Sequence, residues 1–206
     1  MGFGRDAVSL ARASVVFEVA GGSVDAPADP RFAERAGAFV TLSEHPSRGL
    51  RGCMGHPMPV LPLGEAVERS ARSACRDPRF PPLRSEELDR VMVEVTVLSP
   101  PEHLAYGSPD LVRQVRVGRD GLMIEFMGRS GLLLPQVPVE HGWDAAEYLD
   151  HLSMKADLPP SAWTDPRASI WSFTGDIFSE VAPNVFPEDR YGWDRDGRRG
   201  QDAHRR

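Results

Sequence analysis

Leu50-Arg51-Gly52-Cys53-Met54-Gly55 follows Ala38-Phe39-Val40-Thr41-Leu42 across a turn at Glu44 to Gly49. These two runs decide how the chain reads. The first is a strand, and the second returns as its antiparallel partner carrying a thiol between two glycines. Upstream, Val8, Ala11, Val15 and Val19 recur at helical spacing behind Asp6, a candidate cap, and Gly21-Gly22 stop the run. Downstream, Pro62 suits the first turn of a helix carrying Leu63, Val67, Ala71 and Ala74 as far as Cys75.

Asp77-Pro78-Arg79-Phe80-Pro81-Pro82 must be non-helical, because a residue that precedes proline avoids the α region. Ser85 caps a short turn ending near Leu88. Val91, Val93, Val95 and Val97 alternate with Met92, Glu94, Thr96 and Leu98, a strand with one β-branched face. Val115 and Val117, Leu122 to Met127, and Leu132-Leu133-Leu134 read as a three-stranded meander turning at Gly118–Gly121 and Gly128–Gly131. Trp143, Tyr148, Leu149, Leu152 and Ala156 line one face of the next helix, with acids toward its start and Lys155 near its end. Ala168 to Val181 reads as one long closing strand.

This order predicts an α+β fold of mostly antiparallel sheets with flanking helices, the first helix packing on the sheet that holds the final strand. The 206 residues suit one large domain or two small subdomains sharing a core. After Pro187 the chain is rich in acids and arginines and poor in aliphatic residues, so 188–206 is expected to be a mobile charged tail.

The net charge of −6, from 24 basic and 30 acidic residues, gives no reason to expect nucleic acid or anionic membrane as the main partner. Two cysteines do not make a disulfide scaffold, which favours a reducing compartment. The apolar stretch Ala7 to Ala20 is interrupted by Arg12 and Glu18 and is too short and charged for a signal or a membrane span. The expectation is a cytoplasmic protein.

Arg51, Gly52, Cys53 and Gly55 form the densest chemical constellation, since backbone amides at the glycines and a cation beside the thiol would make Cys53 nucleophilic. The bland alternative is a small buried hydrophobe between glycines that permit close packing. Cys53 and His56 form a Cys-x-x-His pair. A structural zinc site needs four ligands, and Cys75, His45, His103 and His141 fall at no second paired spacing, so no metal site is expected. Cys75 reads as core. Asp77 and Arg79 suit an aspartate-initiated turn with an internal ion pair. Glu140-His141-Gly142-Trp143 precedes a helix, where Glu140 can complement the dipole and Trp143 can staple the first turn, or the group can contact a polar ligand.

The Leu50–Gly55 run resembles the Leu-Arg-Gly-Cys-Ile-Gly signature of the AMMECR family, with Met54 in place of isoleucine. Asp77–Pro82, the strand Val93–Leu98, and Leu134-Pro135-Gln136-Val137 with Trp143 and the Lys155 helix are similar to further family motifs, in the family's order. The resemblance covers residues 5 to 181. It implies two α+β subdomains, the larger using both chain ends, with a cleft between them. It also implies a gene context of a Memo-like protein and a radical SAM protein, rather than a particular reaction. By position, Arg51, Gly52, Cys53 and Gly55 belong to the signature, Asp77, Arg79 and Phe80 to the second motif, and Gln136, Glu140 and Trp143 to the third.

Two functions are open. The first is a small-molecule or modification enzyme with Cys53 as nucleophile, Arg51 holding an oxygen, and Glu140 or His141 as acid or base. Gly52, Gly55, His56, Asp77, Arg79, Phe80, Gln136 and Trp143 would then contact the ligand, and the cofactor is left unknown. The second is a non-catalytic binding or adaptor module whose signature docks a peptide or a Memo-like or radical SAM partner. Glycines flanking a thiol and an arginine tilt the sequence reading toward the first.

Overall fold

The computed structural model describes residues 2–104 and 108–186. The expected tail, 188–206, lies outside them. In chain order the elements are α1 (Phe3–Ala20), β1 (Ala38–Glu44), β2 (Leu50–His56), α2 (Leu63–Ala74), β3 (Val91–Leu98), β4 (Glu102–His103) and α3 (Ser108–Gln114). They continue with β5 (Gly121–Phe126), β6 (Arg129–Leu133), α4 (Gln136–His141), α5 (Ala145–Lys155), β7 (Ser169–Phe173) and β8 (Gly175–Ser179). The fold is α+β, with two four-stranded antiparallel sheets flanked by helices. The chain divides into one unit made of Met1–Leu98 with the stretch from Asp176 onward, and a second made of Ser99–Gly175.

In the first unit the sheet order is β2-β1-β3-β8. Period-two alternation turns Val40 and Leu42 of β1, and Val91, Val93 and Val95 of β3, toward α1 and α2, where they meet Val8, Val15, Val67 and Ala71 in one core. Inside that core lies a charge the helical pattern does not announce. Arg12, 4% exposed, donates through Nε to Glu180 Oε1 at 2.8 Å and through a terminal nitrogen to the Val91 carbonyl at 2.7 Å. Glu180, 2% exposed, accepts the Val93 N–H at 2.9 Å, so the pair is satisfied while joining α1, β3 and the end of β8. The first helix thus packs on the sheet that holds the last strand.

In the second unit the order is β4-β7-β5-β6, with the apolar face of α5 on it. Tyr148 is fully buried, and its hydroxyl lies 3.1, 3.0 and 3.3 Å from the Asp120, Leu133 and Leu134 carbonyls. Burial raises its pKa. Asp144 caps α5 by accepting the Ala146 and Glu147 N–H groups, while Glu147 accepts the Asp144 N–H.

Two expectations about the strands are corrected, and one helix is added. The closing segment is two strands in two sheets, because at Thr174 the backbone pairs with Ser99: Ser99 N–H reaches the Thr174 carbonyl at 2.8 Å, and Thr174 N–H reaches Ser99 Oγ at 2.9 Å. The meander is a two-stranded hairpin, since Val115 follows α3 instead of lying in a strand. Its turn is Met127-Gly128, both at positive φ as a two-residue hairpin turn demands, so Arg129 to Gly131 belong to β6. Finally, Gln136–His141 form a short helix of their own, α4, ended by Gly142 in the left-handed conformation at φ 70.

Candidate functional site

Strand β2 is the edge of the first sheet. Its register places Cys53 opposite Thr41, and Thr41 opposite Glu94 on β3, so the three share one row on the sheet face turned away from α1 and α2. Cys53 is a free, half-buried thiol, and the Thr41 hydroxyl donates to its sulfur at 3.4 Å. Thr41 and Glu94 were not singled out in the sequence. Only strand pairing, which no local pattern encodes, brings them level with the thiol.

The glycines of the signature answer to neighbours. A Cβ on Gly52 would sit 2.3 Å from the Ala74 carbonyl oxygen at the end of α2, and one on Gly55 would sit 2.2 Å from the Phe39 ring. Only residues without a side chain let the helix end and the ring approach this closely.

The second motif closes the outer edge of β2. Asp77, 2% exposed, accepts the Cys53 N–H through Oδ2 at 2.9 Å and the Arg79 N–H through Oδ1 at 3.0 Å. Arg79 returns to the same carboxylate through Nε at 3.0 Å and a terminal nitrogen at 2.6 Å, and reaches the Cys53 carbonyl at 3.5 Å. The Arg79 guanidinium holds the Asp77 carboxyl well below the usual carboxylate range, helped by the Cys53 N–H and opposed by burial. Phe80 lies within reach of both the Arg79 and Arg51 guanidiniums, 5.7 and 6.0 Å from its ring centre.

Arg51 faces elsewhere than the sequence suggests. The β1–β2 register pairs Leu42 with Gly52 but Ser43 with Leu50, leaving Arg51 as the extra residue of a bulge. Its guanidinium grips Glu87, Nε to Oε1 at 2.8 Å and a terminal nitrogen to Oε2 at 3.1 Å, and lowers the pKa of that carboxylate. His56, three positions from Cys53 in an unbroken stretch of strand, lies on the opposite sheet face. There its Nδ1 is 3.0 Å from Ser70 Oγ on α2, so Cys53 and His56 are not a nucleophile and base pair. Cys75, which caps the C-terminal end of α2, is 2% exposed, and burial pushes its thiol up to about 12.

The third motif belongs to the second unit. Gln136 and Glu140 are exposed on α4, and His141 ends that helix. Trp143 is stacked between His141, ring centres 4.6 Å apart, and His151 of α5, 3.7 Å apart. His151 was missed because it is eight residues from Trp143 and only the bend at Gly142 and Asp144 folds the indole back over the helix. Among the described residues no three His, Cys, Asp or Glu side chains cluster as a metal site. No helix among them is long and apolar enough to cross a membrane.

Two helix-flanked antiparallel sheets, one edged by a Leu-Arg-Gly-Cys strand clamped by an Asp-Pro-Arg-Phe loop, define a distinct class of α+β protein. The chain belongs to the AMMECR1 family, whose model matches residues 8–178. It is similar to protein MJ0810 of Methanocaldococcus jannaschii, 47% identical over 183 residues that cover 87% of this chain and 91% of that protein. Protein TK0174 of Thermococcus kodakarensis is 52% identical over 155 residues, 73% of this chain and 75% of the relative. Among solved structures, the uncharacterized protein PH0010 from Pyrococcus horikoshii matches with a TM-score of 0.76 at 43% identity, covering 88% of this chain and 93% of the other.

Proposed function

We propose that this AMMECR1-family chain is a binding module, with its signature strand serving as a rigid edge rather than as a catalytic loop. One observation carries the reading: the polar groups that would activate a thiol are already bonded within the fold. Arg51 is held by Glu87, the Cys53 N–H by Asp77, and Asp77 in turn by Arg79. A charge on a side chain only 11% exposed and tied to a carboxylate, and an amide tied to a buried acceptor, stabilise the strand and do not await a developing oxyanion. The partners that fit are the Memo-like and radical SAM proteins implied by the gene context of the family.

The Thr41 hydroxyl on the sulfur favours a second reading, in which Cys53 performs thiol chemistry with Glu94 along the same row. Titration of the purified chain against the Memo-like and radical SAM proteins of the same genome separates the two. A binding module forms a complex with one of them, and Cys53→Ser changes its affinity by less than about threefold. No complex with either protein, or an affinity that collapses on loss of the sulfur alone, contradicts the proposal.

A further inference from the structure

On the helix side of the first sheet, away from Cys53, a groove of about 510 Å³ opens between α1, α2 and the end of β2. We propose that it binds a phosphate monoester, an inference independent of the binding-module reading. Arg69 and Arg72 line it from α2, three residues apart on one face, and Arg76 joins them from the turn just beyond the helix end, with Ser73 also in the lining. Glu18 of α1, its side chain only 7% exposed, bridges Arg72 at 2.8 Å and also pairs with Arg76, fixing two guanidiniums at the groove wall. Arg72 is further oriented over the Phe17 ring, 5.2 Å from its centre.

Three guanidiniums and one carboxylate line the groove itself, and two further carboxylates pair with those guanidiniums from outside it. The other acids of α2 that pair with these arginines are Glu65 to Arg69 and Glu68 to Arg72 at 3.7 Å, and both line a different groove beside Asp29. Each guanidinium carries more N–H donors than these contacts use, and the three side chains are 57, 42 and 71% exposed, open to a ligand. Planar forks of this kind match the oxygens of phosphate.

His56 adds selectivity for an organic phosphate. Its Nδ1 is anchored by Ser70 Oγ at 3.0 Å, an atom that also lies 3.4 Å from the Ala38 carbonyl oxygen. Nε2 is then left to bond a ligand hydroxyl, as donor or as acceptor. Met54 supplies an apolar wall, and the volume falls in the range of small-molecule sites, well beyond a bare phosphate.

Calorimetric titration of the full chain with ribose 5-phosphate, inorganic phosphate and ribose tests this. The expected result is saturable binding of ribose 5-phosphate, tighter than inorganic phosphate, with no binding of ribose. Arg69→Ala and Arg76→Ala each weaken it about tenfold, while Arg113→Ala, an 81% exposed arginine on α3, leaves it unchanged. All three positions are exposed, and circular dichroism verifies that each variant is folded. Absence of saturable binding, equal affinity for inorganic phosphate, or an equal loss in the Arg113 variant overturns the proposal.

Discussion

The backbone N–H of Cys53 is bonded to Asp77 Oδ2 at 2.9 Å, so a side chain 24 residues further on closes the exposed edge of the signature strand. Asp77→Asn keeps the shape but removes the charge that Arg79 holds. It should cost about 2 kcal/mol near neutral pH by urea unfolding. The folded pKa of Asp77 is depressed, so its contribution is present above the ordinary value of 3.8 and is lost as pH falls below it. The gap between wild type and variant should therefore be flat above about pH 5 and narrow in acid. A gap that stays constant into strong acid would show that the charge plays no part.

Arg12 and Glu180 tie α1 to the C-terminal strand from inside the core. Removing one partner strands the other as a buried charge, so Arg12→Ala or Glu180→Ala should each lose about 3–5 kcal/mol. The double change to Met and Leu should lose clearly less than the sum. Additive losses in a double-mutant cycle would mean that the two residues act separately.

Gly52→Ala should be worse than Gly55→Ala. The new methyl at 52 meets the Ala74 backbone oxygen, fixed at the end of a helix, whereas at 55 it meets the Phe39 ring, which can turn. Losses of about 3 and about 1 kcal/mol are expected from thermal unfolding. The reverse order would place the tight contact at Phe39.

What was legible and what was not follows from the kind of information each residue carries. The β1–β2 hairpin and the valine face of β3 could be read because alternation records which side of a strand is buried. The break at Thr174 could not. Alternation continues through it unchanged, and only the bond to Ser99 divides the segment between two sheets. At the site, the Asp77–Arg79 turn is local and readable, but its grip on Cys53 depends on α2 returning the chain to the β2 edge. The separation of Cys53 from His56 was readable from parity, since residues three apart on a strand face opposite ways. The turn of Arg51 toward Glu87 was not, because a bulge depends on the partner strand.

Cys75 should show its burial as a loss of stability in alkali. Its pKa rises from 9.0 to about 12 in the fold, chiefly through burial, so below about pH 9 both states hold the proton and the full benefit is present. As pH rises from there, the unfolded thiol ionises first and the advantage shrinks toward zero near the folded value. Wild type should therefore lose stability relative to Cys75→Ala between those limits, as measured by denaturant unfolding. A pH-independent difference would contradict the burial seen here.

The binding-module account stands or falls on the reactivity of Cys53, which iodoacetamide measures directly by mass spectrometry of the native chain near neutral pH. With Arg51 held by Glu87 and the Cys53 amide held by Asp77, Cys53 should alkylate no faster than free cysteine, and Cys75 only after unfolding. A rate more than about tenfold above free cysteine, falling in Thr41→Val, would contradict the account and make Cys53 a primed nucleophile.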